Sequence, residues 1–303
     1  MRPILERMLD DMRLRNLAIS TQASYIHHVS MFARHFDKSP EIIAPEEIRS
    51  YQLYLSKEKK AAPTTVAIAV SALRFLYSIT LQRSWMMEKA IPMPKRPEAL
   101  PSVLSPDEVL GFLECVRQAK HRTILMSCYA AGLRISEVVR LKPGDVDNRR
   151  MVIRVEQGKG RRDRYVMLSP RLLETLDKWR ALGKTQKWLF PGNRSENPIT
   201  RHAVEKACRE AHRLSGISKP VTPHSLRHAF AVHILESGTD IRTIQLLLGH
   251  SSISTTANYL RLATTQVCSA TSPLDLLPRP IPLPAHHART KPRVICVEPP
   301  FGG

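Results

Sequence analysis

A tyrosine, two arginines and two histidines from three separate stretches of the chain could act together on a phosphate. Tyr259 is a potential nucleophile and stands nine residues after His250. His224 and Arg227 are three residues apart and share one face of a predicted helix. Arg134 lies far upstream and would meet Arg227 across one phosphate. Attack on a phosphodiester places charge on its non-bridging oxygens, which planar guanidinium groups bind well, so the set predicts cutting and rejoining of phosphodiesters.

Each of these residues taken alone has an ordinary interpretation. A single arginine usually lies at the surface or contacts backbone groups, and a single tyrosine near the end of a chain usually packs in a core. A tyrosine hydroxyl also has an unperturbed pKa of about 10, so a nucleophile at Tyr259 needs neighbouring cations. The prediction therefore depends on all these residues meeting in space.

Lys159 lies between two glycines at the tip of a predicted β-hairpin. A lysine there is most often a solvated turn residue. The functional interpretation is that a hairpin carries its ammonium beside the scissile bond, where it protonates the departing 5′ oxygen. Arg161, Arg162 and Arg164 would then hold the hairpin against the nucleic-acid backbone.

The histidines also raise the question of a metal site. His224 and His228 are four residues apart, which is a spacing that metal ligands use, and His233 follows. No cysteine or carboxylate stands nearby in the sequence to complete a site, so no metal is expected. His228 is predicted to have a core or capping role, whereas His224 and His250 are predicted to be phosphate donors or proton shuttles.

The overall charge favours a polyanionic partner. Among 303 residues, 46 lysines and arginines face 27 acidic residues, which leaves a formal charge of +19 and a pI near 10.2. A ribosome-associated or membrane-surface protein would show the same excess. No apolar run approaches the roughly 18 residues of a membrane span, and no secretory signal is recognisable. Five scattered cysteines without a C-x-x-C pair predict reduced thiols in the cytoplasm.

The pattern of elements predicts a mainly α protein with a small antiparallel β-sheet, of the α+β class. The expected divisions are a helical domain over 1–90, a proline-rich linker over 91–102, a second domain over 103–277 and a proline-rich tail over 278–303.

Several helix starts and two strands can be predicted from local signals. In the first domain, helices are expected to be capped at Ser20 or Thr21 and to open at Pro45 and Thr64. In the second, Ser105 is a predicted cap, and a hairpin is expected from strands at 151–155 and 165–168. Further helices are predicted over 169–182, 201–214, 223–237 and 240–248, followed by a last helix that carries Tyr259.

The chain resembles the tyrosine recombinases of the phage-integrase and Xer type. The matching runs are AGLRISE at 131–137, GKGRRDR at 158–164, HSLRHAFA at 224–231 and LLGHSSISTTANY at 247–259. They occur in the family's order, and the resemblance covers about residues 1–270. Four ordered motifs are far more specific than any one of them.

The resemblance implies a fold, a chemistry and a partner. It implies a helical, SAM-like core-binding domain, followed by a catalytic domain. The implied activating residues are Arg134, Lys159, His224, Arg227 and His250, with Tyr259 as the nucleophile that forms a 3′-phosphotyrosyl bond to DNA. It implies no metal, nucleotide or other cofactor. The implied assembly is a homotetramer on two double-stranded DNA sites, alone or with a second recombinase or an accessory protein.

Other functions share some of these features. A transposase of a mobile element or a chromosome resolvase would use the same chemistry, and the sequence does not separate them. A type IB topoisomerase-like enzyme would relax DNA as a monomer. A DNA-binding protein with an inactive site is disfavoured because all six positions are present. Integron integrases carry an insertion before the His-x-x-Arg motif, and no long insertion is evident here.

Overall fold

The computed structural model describes residues 2–83, 91–94, 102–156, 163–183 and 187–263. The chain divides into two compact units, Met1–Ala99 and Leu100–Gly303. The tail expected over 278–303, most of the expected linker and the hairpin tip with Lys159 lie outside the described residues.

In the described part of the first unit, all regular secondary structure is helical, as predicted. Its α-helices are α1 (Arg2–Leu14), α2 (Ile19–Phe36), α3 (Pro45–Leu53) and α4 (Pro63–Phe75). A 3-10 turn at Pro40–Ile42 precedes α3, and π-helical turns at Tyr54–Glu58 and Leu76–Thr80 extend α3 and α4.

The predicted helix starts of this unit are partly right. Pro45 opens α3, and the Glu47 carboxylate accepts the backbone N–H of Ala44 at 3.0 Å, which satisfies one free donor of the first turn. The prediction that Ser20 or Thr21 caps α2 was wrong, because α2 begins one residue earlier, at Ile19, with no side-chain cap.

A single apolar core holds the first unit together. Phe32 and Tyr51 pack edge to face with their ring centroids 5.1 Å apart, and the buried Tyr77 hydroxyl donates to the Pro40 carbonyl. The stretch Pro63–Thr80 is by length and mean composition long and apolar enough to cross a membrane, although polar residues interrupt it. Half of that stretch is buried inside the unit, as in the core helix of a globular domain.

The second unit combines helices with a small sheet, one face of which is exposed. Its elements are α5 (Pro106–Glu114), α6 (Ala119–Ala130), α7 (Ile135–Val138), a 3-10 turn (Pro143–Asp145), β1 (Val146–Asp147), β2 (Val152–Val155), β3 (Arg164–Met167), α8 (Pro170–Ala181), α9 (Arg201–Ser215), α10 (Pro223–Glu236), α11 (Ile241–Leu248) and α12 (Ile253–Ala257). The predicted Ser105 cap is confirmed, because its hydroxyl accepts the N–H of Glu108 while the Glu108 carboxylate accepts that of Ser105.

The predicted hairpin is confirmed in the described strands. β2 and β3 pair antiparallel, with Ile153 opposite Val166, and both side chains are buried. β1 adds a third strand beside β2, which sequence reasoning missed. A two-residue strand is too short to show an alternation of apolar and polar residues.

Helix α10 is the central element of the second unit. It packs against α6 and α11, and its apolar residues, including Leu226 and Phe230, are buried. The Thr222 hydroxyl caps it by accepting the N–H of Ser225 at 3.0 Å. Because α6 and α11 cover the inner face of α10, any polar side chain on that face must find hydrogen-bond partners inside the protein.

The last described helix is shorter than predicted. α12 ends at Ala257, so Tyr259 lies in the turn that follows and not in a helix. Its backbone N–H donates to the Thr256 carbonyl at 2.9 Å, which fixes this turn against the end of α12.

Candidate active site

Arg227 is the most deeply buried charged residue of the site, with 1% of its surface exposed. Its Nη1 donates to the Gly132 carbonyl, and its Nη2 donates to the Leu248 carbonyl. Its Nε has no hydrogen-bond partner within the described part of the chain. Burial, then the charge of Arg134, lowers the pKa of Arg227 to about 10, so the guanidinium remains charged near neutral pH. The loop at Gly132 and the end of α11 thus hold one cation in place on α10.

Glu137 holds three arginines around one carboxylate. Its oxygens accept two hydrogen bonds from Arg134, from the backbone N–H at 2.8 Å and Nη1 at 2.9 Å. Arg164 donates from Nη1 at 3.0 Å and Nη2 at 2.8 Å, and Arg227 Nη1 lies 3.8 Å away. Burial alone would raise the pKa of Glu137, but the hydrogen bonds and charges of Arg164 and Arg134 outweigh it and lower the pKa. Glu137 is therefore an ionised anchor.

Sequence reasoning quoted Glu137 within its motif but assigned it no role. The available signal was its position three residues after Arg134, which places both at the start of α7. Its contacts with Arg164 and Arg227 cross the fold and leave no local pattern.

Arg164 is a structural cation, contrary to the sequence expectation that it holds a hairpin against nucleic acid. Besides its bidentate contact with Glu137, its Nε donates to the Leu247 carbonyl at 2.9 Å. Gly249 has a φ of 61°, and a Cβ at this position would lie 3.1 Å from Arg164 Nε. The backbone before His250 therefore passes very close to this guanidinium, which leaves little room for a side chain.

Arg134 lies beside Arg227 in a loop that requires glycine. Gly132 has a φ of 60°, and a Cβ there would lie 2.4 Å from the Phe230 ring. The close packing of this loop on α10 brings Arg134 to the site, where its Nη2 lies 3.5 Å from the Gly249 carbonyl. Its side chain keeps some exposure, so it can reach an anion.

His224 and His228 form an edge-to-face pair with ring centroids 4.2 Å apart. In the described ranges no group of three histidine, cysteine or acidic side chains is placed to hold a metal ion. Burial, then the charges of Arg227 and Arg134, lowers the pKa of His224. Both rings sit in a positive environment that favours their neutral form.

His250 stands between Arg227 and α12. Its Nδ1 lies 2.9 Å from the Thr256 hydroxyl oxygen, and its Nε2 lies 3.4 Å from Arg227 Nη2. Because a guanidinium group only donates, Nε2 is the acceptor, and the proton is assigned to Nδ1. The imidazole therefore joins the arginine cluster to α12, the helix that precedes the turn with Tyr259.

Tyr259 is buried against this cluster, with 3% of its surface exposed. Its ring lies nearly parallel to that of His250, with centroids 6.3 Å apart. Burial raises the pKa of its hydroxyl, and the charges of Arg227 and Arg134 oppose the increase. The cations are therefore close enough to act on the phenol but do not ionise it.

The Tyr259 hydroxyl lies 2.9 Å from Nδ1 of His228. Sequence reasoning gave His228 a core or capping role and missed this contact. The signal that could have found it is the spacing of four from His224, which puts both imidazoles on the same face of α10.

The structure brings together five of the six predicted site residues. The five are Arg134, His224, Arg227, His250 and Tyr259, and the contacts above link all of them to one another directly or through Glu137 and His228. The sixth, Lys159, lies outside the described residues.

Comparison with known proteins shows the family to which this chain belongs. Residues 102–266 match the phage integrase family, and residues 4–87 match the N-terminal SAM-like domain of phage integrases. The chain belongs to the phage integrase family of tyrosine recombinases. The resemblance inferred from the four motifs is therefore confirmed.

Two relatives and one solved structure illustrate the similarity of this integrase-family chain. The y4qK protein of Sinorhizobium fredii, which carries a provisional integrase/recombinase name, is 60% identical over 94% of this chain and 92% of its own. The tyrosine recombinase XerD of Yersinia pestis is 35% identical over 86% of this chain and 93% of its own. A lambda integrase tetramer bound to a Holliday junction shares the fold, with a TM-score of 0.69 and 20% identity over 85% of this chain and 76% of that one.

Proposed function

We propose that this chain is a site-specific DNA recombinase or integrase that cuts and rejoins double-stranded DNA through a 3′-phosphotyrosyl intermediate on Tyr259. The observation that carries the proposal is the position of the Tyr259 hydroxyl within the electrostatic reach of both Arg227 and Arg134. The same two cations can bind the phosphate that the hydroxyl attacks. Membership of the tyrosine recombinase family supports this assignment.

In the proposed first step, the Tyr259 oxygen bonds to the scissile phosphorus while the bond from phosphorus to the 5′ oxygen breaks. Arg134 and Arg227 stabilise the charge that develops on the non-bridging oxygens, because their positive charges are in place before the substrate arrives. His224, whose neutral form is favoured, donates a ring N–H to the same oxygens. Glu137 keeps the arginines at fixed positions, so little reorganisation is required during the reaction.

The departing 5′ oxygen needs a proton, which we assign to Lys159 as general acid. In the second step a 5′ hydroxyl of a partner strand attacks the phosphotyrosine and releases Tyr259. Since the covalent bond conserves the energy of the phosphodiester, the reaction requires no metal or nucleotide. Two duplexes held by four copies of the chain would exchange strands in pairs.

A covalent trapping experiment tests the proposal. The protein is expressed in a bacterial host and the cells are lysed in SDS. The DNA that remains attached to the protein is then sequenced to define the site. A nicked duplex carrying that site, which loses the short cleaved fragment and so cannot be rejoined, should then accumulate an SDS-stable adduct. Absence of any adduct with the wild-type protein would contradict the proposal.

Two matched substitutions identify the nucleophile. Tyr259→Phe should abolish the adduct because it removes only the attacking oxygen. Tyr129→Phe is the control, since the Tyr129 hydroxyl also bonds a histidine of α10, His233, at 2.9 Å but lies outside the arginine cluster. An adduct that persists in Tyr259→Phe would exclude Tyr259 as the nucleophile.

Relaxation of supercoiled plasmid distinguishes a recombinase from a topoisomerase-like enzyme. An enzyme of that type relaxes plasmids without the identified site and at concentrations at which the protein is monomeric. A recombinase should instead join two DNA molecules that each carry the site. Relaxation without recombination would replace the proposed function.

A further inference from the structure

The hydroxyl proton of Tyr259 has an acceptor that the proposed reaction has not yet used. Nδ1 of His228 lies 2.9 Å from the Tyr259 oxygen. The two rings are tilted by 57° with centroids 5.5 Å apart, so they are in contact beside the first half of α10. Among the described residues, His228 is the group that the structure places in hydrogen-bond contact with this hydroxyl.

The direction of the hydrogen bond follows from the ionisation of both groups. Burial, with contributions from His224 and Arg227, lowers the pKa of His228 to about 4, so its imidazole is neutral near neutral pH. Burial raises the pKa of Tyr259, so the phenol keeps its proton. The hydroxyl therefore donates to the Nδ1 lone pair, and His228 carries its own proton on Nε2.

This arrangement answers a need of the chemistry. The nucleophile is a neutral phenol, because the arginine charges do not overcome the effect of burial on its pKa. An oxygen that bonds to phosphorus while retaining its proton would become strongly acidic, so the proton must leave during the attack. A base already aligned on that proton lowers the barrier to its departure.

We propose that His228 is a catalytic residue that takes the Tyr259 hydroxyl proton through Nδ1 as the bond from oxygen to phosphorus forms. This inference rests on the proposed function. In the balanced step, the oxygen–phosphorus bond forms, the bond to the 5′ oxygen breaks, and that oxygen receives a different proton from the general acid. His228 ends the step as an imidazolium and returns its proton to Tyr259 when the phosphotyrosine is resolved.

Substrate binding makes His228 a better base. The groups that bear on its protonation are His224 and Arg227 from its own helix and Tyr259 from the turn after α12. A phosphate bound at Arg227 brings negative charge that offsets this cation, and so raises the pKa of His228 above its value in the free protein. The base therefore gains proton affinity only when the substrate is in place.

Replacement of His228 by asparagine separates proton transfer from positioning. The asparagine amide oxygen can occupy the place of Nδ1 and accept the same hydrogen bond, but it does not take up a proton. We expect His228→Asn to slow single-turnover adduct formation on the nicked duplex by about 10²-fold or more, within the usual range for a general base. His233→Asn is the matched control on the same helix, and its rate should equal that of the wild type.

The leaving group and the pH identify which proton transfer is affected. A duplex with a bridging 5′ sulfur needs no protonation of the leaving group, so Lys159→Ala should regain most of its rate on this substrate and His228→Asn should not. The wild-type rate should level off above the pKa of His228 in the complex. The asparagine variant should keep rising with pH because solvent must then remove the proton.

Nuclear magnetic resonance on the free full-length protein gives a test that does not depend on activity. With nitrogen-15 histidine, the His228 ring should show an unprotonated Nδ1 and a protonated Nε2 near neutral pH, and Tyr259→Phe should shift the Nδ1 signal. A protonated Nδ1 at that pH would overturn the inference, and so would a His228→Asn variant with the wild-type rate and pH profile. If the wild type forms no adduct at all, the proposed function fails instead.

Discussion

Removal of the Glu137 charge tests whether one carboxylate organises the whole cationic site. The Glu137 side chain is only 7% exposed to solvent, and it accepts four hydrogen bonds from Arg134 and Arg164. Glu137→Gln preserves the shape but turns one oxygen into an NH₂ group that faces guanidinium donors. Three arginines would then lie together without a counter-charge.

The expected cost is large because the pair is buried. Removing one partner of a buried ion pair typically costs about 3–5 kcal/mol, and we expect Glu137→Gln to lower the free energy of unfolding of the second unit by this amount. The loss corresponds to a decrease of about two to four orders of magnitude in the folding equilibrium constant.

Urea unfolding monitored by tryptophan fluorescence measures this cost. Trp85 is the only tryptophan in the sequence of the first unit. Its replacement by phenylalanine, both in the wild type and in Glu137→Gln, leaves Trp179 and Trp188 as reporters of the second unit. Glu156→Gln is the matched control, because Glu156 also contacts two cations but is solvent-exposed, so its midpoint should stay at the wild-type value.

The stabilisation by Glu137 should depend on pH in a defined direction. The pKa of Glu137 is lowered from an ordinary value near 4.5, so its stabilisation is fully present above that pH and is lost as the pH falls through the folded-state value. The difference between wild type and Glu137→Gln should therefore be constant near neutral pH and shrink below pH 4.5. A cost under about 1 kcal/mol at neutral pH, typical of an exposed pair, would refute the reasoning.

Three further predictions follow from the packing and charge of the site. Gly132→Ala should destabilise the second unit by more than the roughly 1–2 kcal/mol that a left-handed backbone conformation costs a residue with a side chain, because the new Cβ also meets Phe230. Gly216→Ala is the control in the same urea assay: with a φ of 67° and open space around it, it should show the backbone cost alone. Arg164→Lys should lower the free energy of unfolding by about 1–3 kcal/mol, since lysine does not reproduce the bidentate contact with Glu137, and an unchanged midpoint would exclude that contact as a stabilising one. Adduct formation should continue in excess EDTA, because guanidinium groups supply the positive charge, and inhibition that zinc reverses would contradict the proposed chemistry.

Local signals in the sequence were sufficient for most of the secondary structure. The Ser105 cap with its following proline and acids acts over three or four residues and appears directly in the structure, as do the two short strands of the hairpin. The start of α2 and the two-residue strand β1 were missed, because they depend on backbone contacts that carry no residue signature. The end of α12 was misplaced for the same reason.

The composition of the motifs by itself determined the family and five of the residues that meet in the site. Their types and order along the chain are properties of the sequence, and chemistry restricts which residues can stabilise an attacked phosphate.

Only the tertiary structure decided how those residues are held. Glu137 reaches Arg164, 27 residues away, Arg227 donates to a carbonyl 95 residues away, and His228 meets Tyr259 across 31 residues. Such contacts depend on the paths of loops that pack together around α10, and helical or strand periodicity carries no record of them. Burial then sets the protonation of each group, because the pKa of a side chain responds to the solvent and charge that the fold leaves around it.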